Sequence, residues 1–363
     1  MRNSSPFRRE PRSLIWLLLI AACALLLFRA VRLAHAEPPP THHGLLIYSI
    51  DVEGGQSTLL VSPEGASLLV DTGWRGSGGP PGRDAERIVA AMKDAGITRL
   101  DKVLITHFHV DHVGGVPELV KRVKVGEFLD HGVNREDSDI TRHDYAAYVQ
   151  AIGATPRQTV KPGDTIDVAG LSIVVLAADG DHIAKVPGVT PQPNPYCASE
   201  AKWTLDQSEN PRSAGILVRY GKFRFLDLGD LTKAKEIPLM CPDNRIGHVD
   251  LYLVSHHGLD QSSSKALVWA IAPRMAIMNN GAHKGGSPEA WETVHTSPGL
   301  EDLWMLHTAE GSDAAHNSAE GLIANPKGTS APDGQYLKVV AREDGSFSVM
   351  NSRTGQTKEY GAK

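Results

Sequence analysis

Apolar residues fall in short runs along most of this chain, and each run is closed by glycine, proline or small polar residues. Runs rich in Val, Ile and Leu with such boundaries read as buried strands. They predict strands at 44–50, 58–61 and 66–70, with Pro63-Glu64-Gly65 turning between the last two, and further strands at 103–105, 125–129, 171–177, 249–254, 275–278 and 303–307. Two hairpins stand out, 214–220 with 223–228 around Gly221-Lys222, and 336–341 with 346–351. Elsewhere the period lengthens. Ile88, Val89, Ala91, Met92 and Ala95 lie on one face of a helix over 83–95, closed by Gly96. Helices are also expected at 116–122, within 137–152, at 266–271 and at 287–295, with Pro288 near its start. The stretch 76–82 reads as a Gly/Pro rim loop, and 179–211, rich in proline and without period, as a long functional or lid loop. Both halves give strands and then helices, which predicts an α/β chain with two packed sheets and helices outside.

The ends of these strands carry the chemistry. Thr106-His107-Phe108-His109-Val110-Asp111-His112 follows the run Val103-Leu104-Ile105. Asp71 ends an earlier strand, Gly229-Asp230 the first hairpin, Ser255-His256-His257-Gly258 the strand 249–254, and Asn279-Asn280-Gly281 the strand 275–278. His107 and His109 are two apart, so in an extended loop both point to one side. Asp111 and His112, being adjacent, face a neighbouring point, and Gly114-Gly115 is expected to let the backbone turn tightly. A single histidine would be an ordinary core or surface residue. Four ligand-type side chains between 107 and 112 do not make a solvated face, and two aim points suit two divalent ions. Imidazole with carboxylate suits zinc first, with manganese or iron as alternatives.

Composition narrows the picture. The chain has 363 residues, 41% hydrophobic and 22% charged, which is ordinary globular composition. At 6% aromatic content, stacking platforms for nucleic acid are not evident. Arg2, Arg8, Arg9 and Arg12 precede an apolar run from Leu14 to Phe28. That run is short for a membrane span, which needs about 20 residues. With Ala34-His35-Ala36 as a cleavage site it reads as an export signal. Arg29 and Arg32 fit a retained anchor instead, and Ile20-Ala21-Ala22-Cys23 resembles a lipoprotein box. Each reading exports the main domain, to the periplasm or beyond, with membrane contact only through the N-terminal segment. The expected organisation is a signal or anchor at 1–36, a linker at 37–43, a main domain at 44–352 and a tail at 353–363. Without 1–36 the formal charge falls from −5 to −10, which argues against tight nucleic-acid binding by bulk electrostatics. Cys197 and Cys241 remain, either bridged in an oxidising compartment or free as two buried thiols.

On these motifs the chain resembles the metallo-β-lactamase superfamily. Thr106-His107-x-His109-x-Asp111-His112 matches its signature, Asp71 its first motif, Gly229-Asp230 its bridging aspartate, and Ser255-His256-His257-Gly258 its last histidine motif. Within it, Asp51-Val52-Glu53-Gly54-Gly55-Gln56, the Asn210-x-x-Ser213 segment and His256-His257-Gly258 look most like the hydrolase domain of bacterial competence DNA-uptake proteins, and also like secreted phosphorylcholine esterases. The resemblance implies an αββα sandwich of two mixed sheets. It implies His107 and His109 on one metal, Asp111, His112 and His256 on a second, and Asp230 bridging them. His256 is preferred over His257, which would then face the substrate. Two ions about 3.5–4 Å apart hold a hydroxide at neutral pH, and Asp71 would orient a ligand. Many members carry a third histidine where this chain has Asn210 to Ser213, with His182 as a substitute or a plain surface residue. The uptake branch has a late histidine where this chain has Ser287. Asn279, Asn280, His283 and Lys284 are candidates to contact an anionic substrate, small or polymeric, and so are Asp260 and Gln261. The expected activity is phosphodiester hydrolysis. Lactone, amide or thioester hydrolysis, and a non-catalytic metal-stabilised binding module, are the alternatives.

Overall fold

The alternation of side chains along the first strand sets the layering. In Leu45–Ile50, Leu45 and Ile47 face one apolar core, while Leu46, Tyr48 and Ile50 face another. A sheet buried on both faces needs a layer on each side. In this computed structural model, which describes residues 43–76, 80–199, 203–204, 206–328 and 334–363, the layers are a second sheet within and helices without.

Among the described residues there are two nine-stranded sheets. The first runs, edge to edge, Thr357–Tyr360, Phe347–Asn351, Tyr336–Ala341, Leu45–Ile50, Thr58–Val61, Ser67–Val70, Arg99–Ile105, Lys124–Asp130 and Arg157–Thr159. The second runs Ile323–Asn325, Asp302–His307, Met275–Met278, Leu251–Leu253, Phe223–Asp227, Gly215–Tyr220, Ser172–Ala178 and Thr165–Ile166, with Asp181–His182 paired to Ser172–Ala178. Leu45, Ile47, Leu104, Ile216, Val218 and Ile277 share the core between the sheets. Helices Arg83–Asp94 and Asp139–Ile152 cover the first sheet through Ile88, Met92, Tyr148 and Ile152. Helices Lys233–Met240, Lys265–Ile271 and Pro288–His295 cover the second through Leu239, Leu267, Ile271 and Val294. This is the αββα sandwich expected.

Each sheet is antiparallel in one part and parallel in another. Ser67–Val70, Arg99–Ile105, Lys124–Asp130 and Arg157–Thr159 run parallel to their neighbours in that order. So do Phe223–Asp227, Leu251–Leu253, Met275–Met278, Asp302–His307 and Ile323–Asn325. Parallel strands end on the same side, and ligands gather beyond their carboxyl ends. Asp71, the 106–112 segment, Asp230, His256 and Asn279 all follow such ends.

The apolar runs mark these strands well because parallel strands are buried on both faces. Several elements escaped that reading, among them the strand Ile323–Asn325 and the helix Lys233–Met240. Arg157–Thr159 and Thr165–Ile166 are short and largely polar. The stretch 353–363, expected to trail as a tail, holds Thr357–Tyr360, an edge strand antiparallel to Phe347–Asn351. It is anchored by Tyr360, buried, whose hydroxyl donates to Asp302 at 2.5 Å and accepts from Trp304 Nε1 at 2.9 Å. The long loop 179–211 is organised by small pairings, among them Gln192–Pro193 with Asp243–Asn244. Cys197 and Cys241 form a disulfide with Cα atoms 5.8 Å apart. The 1–36 signal or anchor lies outside the described residues. No helix among the described residues is long and apolar enough to cross a membrane.

Candidate metal centre

Strand Arg99–Ile105 delivers Thr106 and His107 to the seam between the sheets, where Thr106 O accepts from Ala214 N of the second sheet at 2.8 Å. The chain then makes one helical turn, Val110–Val113, which carries Asp111 and His112. Thr72 clamps this turn, with N and Oγ1 donating to His112 O at 2.8 and 2.9 Å, and Gln56 N donates to Asp111 O at 3.1 Å. Gly114 and Gly115 have ordinary helical dihedrals, so tight turning is not their role. A Cβ on Gly115 would overlap Thr72 O, so the glycine permits close approach instead.

Asp230 is the hub. It follows strand Phe223–Asp227 and Gly229, whose φ of 56° suits glycine and whose Cα packs against Thr106. Its Oδ2 lies 3.2 Å from His112 Nε2, 3.5 Å from His256 Nε2 and 3.9 Å from His107 Nε2, and its Oδ1 lies 3.4 Å from His257 Nε2. Asp111 Oδ2 lies 3.3 Å from His112 Nε2 and 3.2 Å from His257 Nε2. Asp111, His112, Asp230 and His257 each offer an atom within 4.8 Å of the others, and all four are buried. Asp71 receives His112 Nδ1 at 2.7 Å, Thr106 N at 2.8 Å and Thr106 Oγ1 at 2.6 Å, so it orients the His112 ring and leaves Nε2 facing Asp230.

His257, and not the preferred His256, is the imidazole paired with both Asp111 and Asp230. Both residues adopt left-handed dihedrals, with φ 56° and 54°, which is unusual for non-glycine residues and marks a strained turn. That turn swings His257, not His256, between Asp111 and Asp230. His256 sits beside the other side of Asp230, with Nε2 3.3 Å from Asn210 Nδ2 and Nδ1 3.3 Å from Ser262 Oγ.

Asn210 therefore stands at the centre, in the segment where a third histidine was sought. Ser213 Oγ accepts from Asp230 N at 3.1 Å. His182 belongs to the strand pairing Ser172–Ala178 and joins none of these contacts, so it supplies no substitute ligand. His109, half-buried, turns its Nε2 to Glu136 at 2.8 Å. Of the substrate candidates, Lys284 pairs with Asp111 and lies 4.9 Å over the Trp74 ring. Asn279 is buried with neither amide atom hydrogen-bonded. Asn280 is structural, donating to His307 O at 2.8 Å, and His283, Asp260 and Gln261 are exposed. Gln56, which holds Asp227 through contacts of 2.9 and 3.1 Å, was quoted only as part of a motif, and Trp74, Glu136 and Asp227 had no local signal.

Electrostatics fit a cation site. Burial opposes ionisation of Asp230, yet His112, His257 and His256 hold it well below the usual carboxylate range. Burial likewise opposes Asp111, and Lys284 and His112 hold it low. Burial keeps His107 uncharged, helped by His112 and His109, and brings His256 down to about 4. His107 Nε2, Asn210 Oδ1 and Asp230 Oδ1 are buried without a hydrogen-bond partner. Such atoms are costly unless something receives them. Against burial, Asp230, Asp111 and Asp71 push His112 well up, and Glu136 pushes His109 up. A divalent ion would take the place of those protons among the ionised carboxylates and the uncharged His107 and His256.

Residues 50–202 match the family model described as the Metallo-beta-lactamase superfamily. ComE operon protein 3 of Bacillus subtilis is 25% identical over 243 residues, covering 64% of this chain and 28% of that protein. Hydroxyacylglutathione hydrolase of Rhodopseudomonas palustris is 34% identical over 106 residues, covering 28% of this chain and 35% of that one. The chain thus spans about a third or less of the length of these curated relatives. Among solved structures, CmlA, a diiron β-hydroxylase from Streptomyces venezuelae, superposes with a TM-score of 0.37 at 16% identity, covering 72% of this chain and 48% of that one.

Proposed function

We propose, from a chain that carries a metallo-β-lactamase superfamily domain, that this protein is an exported hydrolase with two divalent metal ions, zinc first among them, and that it cleaves a phosphodiester. The observation that carries the reading is Asp230, one buried carboxylate with four imidazole nitrogens at 3.2 to 3.9 Å. A carboxylate so surrounded suits a bridge between two ions.

His107 and His109 would hold one ion, and Asp111, His112 and His257 the other. His256, beside the same Asp230 oxygen as His107, and Asn210, 3.3 Å from His256 Nε2, are placed to complete the first set. When bound, the ion pair lowers the pKa of water and stabilises negative charge developing on the substrate. The chain's own residues do the rest. Asp71 fixes the His112 tautomer by accepting from Nδ1. Lys284, backed by the Trp74 face, offers a point charge to an anionic substrate at the rim. Asn279 supplies an unused buried amide donor.

A phosphodiester is favoured because the Asp51-to-Gln56, Asn210-to-Ser213 and His256-His257-Gly258 segments resemble the uptake-protein and phosphorylcholine-esterase branches, and because Lys284 adds a cation beside the centre. Thioester hydrolysis is the second reading, favoured by the match to hydroxyacylglutathione hydrolase. Export is supported by the Cys197–Cys241 bridge, which persists in oxidising compartments.

The test is turnover by metal-loaded protein of bis-p-nitrophenyl phosphate against a glutathione thioester, a lactone and nitrocefin. Phosphodiester turnover is expected, lost by at least ~100-fold in Asp230→Asn with the fold retained. Turnover of the thioester alone favours the second reading. Full activity in Asp230→Asn, or no turnover of any substrate at one bound metal, overturns the proposal.

A further inference from the structure

His109 is half-buried, and its ring makes one hydrogen bond among the described residues, from Nε2 to Glu136 Oε2 at 2.8 Å. No described residue bonds Nδ1. The carboxylate making that contact is itself held. Glu136 Oε2 also accepts from Glu209 N at 2.9 Å, and Glu136 N donates to Asn134 Oδ1 at 3.0 Å. The Glu209 side chain, fully buried, then ties the neighbouring loops together. Its Oε1 accepts from Arg135 N at 2.7 Å, and its Oε2 from His131 Nε2 at 2.8 Å and Phe108 N at 3.3 Å. Phe108 separates the two histidines assigned to the first ion. Arg135 adjoins Glu136, and Glu209 adjoins Asn210. Two carboxylates therefore tie together the segments at 108–109, 131–136 and 209.

We propose that Glu136 is a positioning residue for the first metal ion: it holds the Nε2–H of His109 and so presents Nδ1, rather than Nε2, as the ligand atom. The inference rests on the two-metal reading above. A carboxylate on the distal nitrogen of a metal-binding histidine fixes ring orientation and tautomer and makes the ligating nitrogen more basic. Here that orientation matters because the third histidine of the first set, His256, comes from the turn Ser255–Gly258 of the other sheet and not from the 107–112 segment. Glu136 touches neither substrate nor ion in this arrangement.

The experiment is zinc titration against a chromophoric chelator, with total metal by mass spectrometry, on the full protein and on Glu136→Ala. Wild type is expected to take two ions. The variant should keep one at wild-type affinity and bind the other about 10–100-fold more weakly. Cobalt absorption of the retained ion should be unchanged. Glu136→Gln keeps an acceptor oxygen and should fall between the two, and it serves if the alanine variant does not fold. Nitrogen-15 NMR of the zinc-loaded wild type gives a second readout. It should show His109 as the Nε2–H tautomer, with Nδ1 unprotonated.

A variant holding both ions at wild-type affinity overturns the inference and leaves the two-metal reading standing. So does a loaded His109 protonated at both nitrogens, or at Nδ1 alone. Wild type taking one ion or none overturns the two-metal reading itself, and this inference with it.

Discussion

At the scale of single residues, the adjacent pair His256-His257 shows how far spacing carries. Ligand-type residues at strand ends are visible in the sequence, because a run of apolar residues followed by His and Asp needs no tertiary information to be seen. Which of two adjacent imidazoles turns inward depends on dihedral angles. The left-handed turn at both positions, braced where Gly285 packs against the His257 carbonyl, could not be read from the residues. Partners far along the chain were equally hidden. Glu136 meets His109 from 27 residues away and Gln56 meets Asp227 from 171, and neither pair has a local pattern. The geometry separates the two histidines by experiment. His257→Ala removes a group shared by Asp111, His112 and Asp230, and should cost the second ion outright. His256→Ala should leave that ion in place and weaken the first. Metal content of the two variants, measured after identical loading, checks the order, and a His256→Ala protein that lacks the second ion would return the assignment to the sequence-based preference.

Elements were legible in proportion to their burial. Arg99–Ile105 ends in Val103, Leu104 and Ile105, all fully buried, with Leu104 in the core between the sheets and the other two under the outer helices. Each such side chain is worth about 1.5–3 kcal/mol when buried, so a strand buried on both faces is an apolar run that shows in the sequence. Edge strands such as Arg157–Thr159 bury little and leave no such trace. The one-turn helix Val110–Val113 reads from sequence as a glycine-bounded loop, and its glycines serve close approach and not tight turning. Gly115 lies at φ −77°, which any residue adopts, but its Cα rests against the Thr72 carbonyl. Thr72 in turn holds the His112 carbonyl through two hydrogen bonds. Gly115→Ala must push these segments apart. The expected result is a loss of about 1–3 kcal/mol in urea unfolding, the usual range for overpacking, together with weaker binding of the ion held by Asp111 and His112. Stability equal to wild type would mean that the contact relaxes freely and does not set the position of His112.

For the whole molecule, the two-sheet sandwich explains why one centre draws on both halves of the sequence. The parallel part of each sheet ends on the same side, so Asp71 and His107 from the first sheet face Asp230 and His257 from the second. The segment between Asp181–His182 and Gly215–Tyr220 lies outside the strand order of both sheets and brings Glu209 and Asn210 to the centre. The Cys197–Cys241 bridge, with a sequence separation of 44, pins that segment to the end of helix Lys233–Met240. Asn194 reinforces it by donating from Nδ2 to Met240 O at 3.0 Å and Ala266 O at 2.8 Å. In the chain-entropy model, closing a loop of this length removes about 4 kcal/mol of freedom from the unfolded state. Replacing both cysteines by serine should lower unfolding stability by up to about that amount, read by urea denaturation without added reductant, which would compete for zinc. Because the bridge anchors the segment carrying Asn210, the same variant should lose affinity for the first ion more than for the second. Equal loss at both sites would show that the bridge acts on global stability alone, and that residues 209–213 reach Asp230 without its help.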